Sequence, residues 1–287
     1  MEQISPSMEA GLPGNLEDDP RLAALRRAVG LILDVDGVLF EGNHVLPGAV
    51  ELISQLSREG TPYVYLSNNT TYPFQYHVDK LSRLGKPVDP GVIITAARVT
   101  ALTLATESRP GACCLVIGER GLSEALELAG FEVTQTDYQK AEYVVIGMDR
   151  QLTYDKLKFA SLAIRNGAQF ISSNPDPNYP DGEMVVPASG AIQAALEAST
   201  GVRARITGKP ALPGFRLALS ILGTSPESTG IAGDQLEVDI RGGMDAGIHT
   251  YLILSSLTPA FTPQESAILP DAIFKSAQEL WQSWIRR

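Results

Sequence analysis

Along most of this chain, short apolar runs alternate with stretches whose apolar residues recur every three or four positions. The first run, Leu31, Ile32 and Leu33, is of strand type and stops at Asp34. Between Pro47 and Gly60, Val50, Ile53 and Leu56 share one face, which predicts a helix opened by the proline and closed by the glycine. Residues 63–66 predict the next strand, ending at Ser67, and 76–84 the next helix, closed by Gly85. Strand and helix in alternation imply a parallel sheet covered on both faces.

The middle of the chain repeats the pattern. Strands are predicted at 115–117, 143–146 and 169–171, and helices at 122–129, 154–164 and 191–198. The last third gives a helix after Pro213, a strand over 230–232, a helix beginning near Asp239 and a strand over 251–254. A closing helix over 278–285 carries Trp281 and Trp284. The periodicity reads as α/β throughout and marks no domain boundary. Residues 1–20 are rich in Pro, Gly, Glu and Asp and open no periodic pattern, so they read as a mobile tail.

Composition narrows the partners. The 287 residues are 44% hydrophobic and 20% charged, ordinary for a globular chain, with a net charge of −10. An acidic surface argues against nucleic acid or an anionic membrane as partner, and a phosphate site would have to build its positive charge locally. No run of about 18 apolar residues and no signal-peptide pattern stands out, so a cytoplasmic location is expected. Cys113 and Cys114 are the only cysteines. Neighbours on a strand point to opposite faces, so they are expected as free, buried thiols in a reducing compartment. His44, His77 and His249 lack metal-ligand spacing, and no Walker loop or G-x-S-x-G elbow is present.

The chemistry concentrates at strand ends. In LILDVDGVLF, Asp34 stands at the end of a buried-type strand and Asp36 just past it. Two carboxylates this close repel unless a cation or proton joins them. Ligands of open parallel sheets bind beyond the C-terminal strand ends, where this pair lies. Gly37 lets the backbone turn; an Asx turn or cap would account for one of the aspartates. A second acidic pair, Asp234 and Asp239, ends another apolar run in GIAGDQLEVDIRGG, although Asp239 also suits an N-cap. If the two strands are neighbours, Asp34, Asp36 and Asp234 converge, and hard oxygen ligands suit Mg²⁺. Ser67, Asn68 and Asn69 offer a hydroxyl and backbone N–H groups for phosphate oxygens, or an ordinary polar turn. Lys209, in the loop string ITGKPALPG, offers a cation.

These pieces, in this order, resemble the haloacid dehalogenase superfamily of phosphohydrolases: DVDGVL its first motif, SNN its second, GKP its third and GDQLEVDI its fourth. Pro47-Gly48-Ala49, Asn174-Pro175-Asp176 and YVVIGMD over 143–149 are similar to the NagD-type branch of p-nitrophenyl, phosphoglycolate and pyridoxal phosphatases. The resemblance implies a Rossmann-like, doubly wound parallel-sheet core over 21–96 and 203–287, with an α/β cap inserted at 97–202. It implies Mg²⁺-dependent hydrolysis of a small phosphate monoester. Asp34 would be the nucleophile and Asp36 the acid and base. Asp34, the Asp36 carbonyl and Asp234 would ligate the metal, with Asp239 on a metal-bound water. Ser67, the Asn68 backbone and Lys209 would clamp the phosphoryl oxygens. Asn174, Pro175 and Asp176, with the turn over 187–190, would seat the leaving group, and the cap is a candidate homodimer surface. Gln235 and Val238 stand where the branch has arginine and threonine. A phosphotransferase or mutase, or a phosphometabolite-binding protein that has lost catalysis, is the alternative reading.

Overall fold

The computed structural model describes residues 19–181, 184–255 and 267–287. The expected tail lies outside the described residues up to 18. Its last two residues do not belong to a tail: the Asp19 side chain accepts from Arg21 N, and Pro20 opens the helix Pro20–Arg26. A proline fits there because the first turn needs no N–H from it.

Six parallel strands form the first sheet, in the order Ala272–Phe274, His249–Ile253, Thr229–Gly233, Gly30–Leu33, Tyr63–Ser67, Ile93–Thr95. Gly30–Leu33 is central. The chain first runs outward on one side to Ile93–Thr95, then re-enters on the other side at Thr229–Gly233. The strand order therefore reverses between Gly30–Leu33 and Thr229–Gly233, which opens a crevice beyond their C-terminal ends. Both faces are covered, so alternate side chains enter different cores. Leu31, Leu33 and Tyr65 pack with Ile53, Leu280 and Trp284 on one face. Ile32, Val64 and Ile231 pack with Phe215 and Ala218 on the other.

A second parallel sheet lies in the excursion between Ile93–Thr95 and Thr229–Gly233. Its order is Arg205–Ile206, Gln169–Ser172, Tyr143–Ile146, Cys113–Ile117, Glu132–Thr134. The Arg205–Ile206 strand lies beyond the expected boundary at Val202 and pairs with Gln169–Ser172. It leads straight to Lys209, so the second sheet delivers a residue to the first. Cys113 and Cys114 are free and buried.

Local differences from the periodicity have simple causes. The helix after Pro47 is Ala49–Glu59, with Gly48 at its N-cap and the proline just outside; Gly60 caps its C-terminus at φ 71°. The helix placed at 76–84 is Phe74–Ser82. No ordinary helix begins at Asp239: that residue sits inside a π-helical turn, Leu236–Ile240, which passes into Arg241–Asp245. Among the described residues, no helix is long and apolar enough to cross a membrane.

Candidate active site

Asp34 follows Gly30–Leu33 directly, and Asp234 follows Thr229–Gly233 directly. The two strands are hydrogen-bonded neighbours, with Leu33 opposite Ala232, so their register brings both aspartates to the crevice. Gly37 makes the approach possible. It sits at φ 85°, and a Cβ there would fall 2.1 Å from Asp234 Oδ2. Gly233 does the same for Asp239, whose Cβ would lie 2.2 Å from a Cβ at that glycine. Oxygens of Asp34, Asp234 and Asp239 all lie within 4.8 Å of one another, and all three residues are buried.

Among the described residues, one cation faces this cluster. Lys209 Nζ donates to Asp34 Oδ1 at 2.8 Å and to Asp239 Oδ1 at 2.6 Å, and its side chain is only 2% exposed. Burial works against the ammonium, but Asp239 and Asp34 outweigh it and raise its pKa. Burial, then the charge of Asp239, pushes Asp34 well above the usual carboxylate range. The same causes push Asp234 up to about 7, although Ser255 Oγ donates to its Oδ2 at 2.7 Å. Three buried carboxylate groups with oxygens this close form a hard donor set, which fits Mg²⁺.

Asp36 does not join the cluster with its side chain, contrary to the simple convergence of Asp34, Asp36 and Asp234. Its carboxylate is 44% exposed and accepts from Lys80 Nζ at 2.7 Å. The reason is the competing charge: a buried lysine on the Phe74–Ser82 helix draws it away from three other carboxylates. Motif reasoning missed Lys80. A signal existed, because Lys80 shares the buried helix face of His77, Leu81 and Leu84, where a solvated lysine would not stand.

The strand on the other side of Gly30–Leu33 ends at Ser67, which is buried and accepts from Asn69 N at 3.2 Å. Asn68 does more than its backbone promised. Its Oδ1 accepts from Lys209 N at 3.0 Å; its Nδ2 donates to the Lys209 carbonyl at 3.1 Å and to Asp176 Oδ2 at 3.2 Å. Asn174 Nδ2 donates back to the Asn68 carbonyl at 2.8 Å, and Asn174 Oδ1 accepts from Asp176 N. The Asn174–Asp176 segment thus meets Asn68 directly, and Lys209 through the Asn68 side chain. Burial pushes Asp176 up to about 6. The expected 187–190 turn is the junction of the strand Met184–Pro187 and the helix Ser189–Thr200, and it packs on the same segment: a Cβ at Gly190 would lie 2.3 Å from the Pro175 carbonyl. Gln235 enters the site through its backbone: its N–H donates to Asp239 Oδ2 and its carbonyl accepts from Asp239 N. Val238 is buried in the same turn.

Comparison with known proteins gives consistent findings. The family model described as Haloacid dehalogenase-like hydrolase matches residues 31–132, and a HAD-hydrolase-like model matches 206–280. An acid sugar phosphatase of Staphylococcus saprophyticus is 34% identical over 249 residues, 87% of this chain and 95% of the relative. The structure of a 4-nitrophenylphosphatase from Thermotoga maritima is similar at TM-score 0.81 and 30% identity, covering 90% of this chain and 98% of that one. NagD of E. coli K-12 is similar at TM-score 0.76 and 31% identity, covering 88% and 98%.

Proposed function

Since this chain belongs to the haloacid dehalogenase-like hydrolases and stands with their NagD-type phosphatases, we propose that it is a cytoplasmic, Mg²⁺-dependent hydrolase of small phosphate monoesters acting through a phospho-aspartate on Asp34. The observation that carries this reading is the meeting of Asp34, Asp234 and Lys209 in the crevice where the strand order reverses.

Asp34 attacks phosphorus as the ester P–O bond breaks, and Asp36 gives its proton to the leaving oxygen. Asp36 then takes a proton from water, which attacks the acyl phosphate and frees Asp34 and phosphate. Asp34, the backbone carbonyl of Asp36 and Asp234 would hold Mg²⁺, with Asp239 beside them. The ion, when bound, offsets the charge on the phosphoryl oxygens and on the buried carboxylates. Lys209 favours the anionic form of Asp34 against burial and, with Ser67 and the Asn68 backbone, clamps the phosphoryl oxygens. The second sheet, with the helices packed on it, serves as the cap, whose Asn174, Pro175 and Asp176 border the leaving group. The names of the relatives make sugar phosphates the first substrate class to assay.

The test is p-nitrophenyl phosphate turnover with Mg²⁺, comparing the wild type with Asp34→Asn, and a phosphate-trapping measurement on the wild type. Asp34→Asn should be inactive and should carry no phosphate. Equal turnover in the two proteins would sink the nucleophile assignment.

A further inference from the structure

The acid–base residue is gripped by a side chain that no motif contains. Lys80 Nζ lies 2.7 Å from Asp36 Oδ1, and the lysine side chain is 7% exposed. Its ammonium stands 5.0 Å from the centroid of the Phe40 ring, a face that attracts cations. Phe40 is itself fixed, since its carbonyl accepts from Gly37 N at 2.7 Å and its N–H donates to the Val35 carbonyl. The Asp36 loop and the Lys80 side chain are therefore locked together through one ring. Other polar groups from the Phe74–Ser82 helix face the same place. His77 is buried, and burial lowers its pKa to about 4, so it brings no competing charge. Tyr76 donates to Asn43 Oδ1 rather than to Asp36.

From this geometry we infer that Lys80 is a positioning residue for the reaction: it holds the Asp36 carboxylate out of the Asp34–Asp234–Asp239 cluster, at the open side from which a leaving group approaches. This rests on the reading of Asp36 as acid and base. The exposure difference carries the direction, since Asp36 is 44% exposed while Asp34 is 7%. Left without Lys80, an exposed aspartate samples several rotamers, and its proton transfer loses the fixed reach that such catalysis needs. Burial makes the grip rigid, because the lysine has no room to follow a different partner.

The experiment is a double-mutant cycle with Lys80→Met and Asp36→Asn, assayed with Mg²⁺ on p-nitrophenyl phosphate, whose good leaving group keeps residual turnover measurable. Mg²⁺ affinity is read separately by calorimetry. Lys80→Met should lower kcat about 10–100-fold, part of the general acid–base contribution, with KM and Mg²⁺ affinity within about twofold. In the Asp36→Asn background the same change should cost nothing further. An alkyl or sugar phosphate, which needs the proton more, should suffer a larger loss than the nitrophenyl ester. If Lys80→Met does not fold, Lys80→Gln goes through the same cycle. Wild-type kcat in the lysine variant, beside a crippled Asp36→Asn, overturns the inference alone. An equal loss in both backgrounds shows a merely structural lysine and also overturns it. Full activity of Asp36→Asn refutes the underlying assignment of Asp36.

Discussion

Lys209→Met is the most informative perturbation of the site, because its ammonium pairs with two buried carboxylates at once. Its Nζ lies 2.8 Å from Asp34 and 2.6 Å from Asp239, with both partners at most 7% exposed. Methionine keeps the length of the stem and removes the charge. Breaking a buried pair by taking away one partner costs ~3–5 kcal/mol, since the remaining carboxylates are left uncompensated. At roughly 2–4 °C per kcal/mol for a chain somewhat smaller than this one, melting should fall by about 6–20 °C. The cost must depend on pH. Asp34 and Asp234 already have raised folded pKa values, Asp234 at about 7. A carboxyl raised in the fold contributes stability below its unfolded pKa and loses it as pH rises through the folded one. Without Lys209 these groups hold their protons still more tightly. The deficit should therefore be smaller near pH 5, where Asp234 is protonated, than at pH 8, above its folded pKa of about 7. The assay is thermal melting of both proteins in EDTA across that range. A melting difference that is the same at pH 5 and pH 8, or no difference at all, would refute the electrostatic account of the cluster.

Three further outcomes follow from single contacts. Gly37→Ala puts a Cβ 2.1 Å from Asp234 Oδ2 at a φ of 85°, so Mg²⁺ affinity by calorimetry should drop at least tenfold; unchanged affinity would show that the turn relaxes freely. Ser255→Ala removes the 2.7 Å hydrogen bond that orients Asp234, and should weaken Mg²⁺ binding about 10–100-fold with little change in apo melting; wild-type binding would rule out that orienting role. Asp176→Asn removes a buried carboxyl whose pKa is pushed up to about 6, so the variant should gain melting temperature relative to the wild type as pH rises from 4 through 6; parallel melting curves would count against the burial argument.

The alternation of strands and helices, the parallel sheet and the strand-terminal Asp34, Asp234 and Gly37 were legible in the sequence. Each is a local property: an apolar run of fixed length, a carboxylate at its end, a glycine where the backbone must turn. The short strands Ile93–Thr95, Arg205–Ile206 and Ala272–Phe274 were not, because two or three residues carry no period and owe their conformation to the neighbour they pair with. The side chains of the site divide in the same way. Asp36 reads as a partner of Asp34 from two residues away, yet its carboxylate goes to Lys80, 44 positions along the chain. Asn68 reads as a backbone donor, yet its amide joins Lys209 and Asp176, more than a hundred positions distant. Asp239 reads as a helix cap, and a π-helical turn instead carries it to Lys209. Local pattern was enough to mark the residues that could do chemistry and the strands that present them. Which charge each carboxylate faces depends on helix packing and strand order, and no local pattern encodes a distance between segments so far apart.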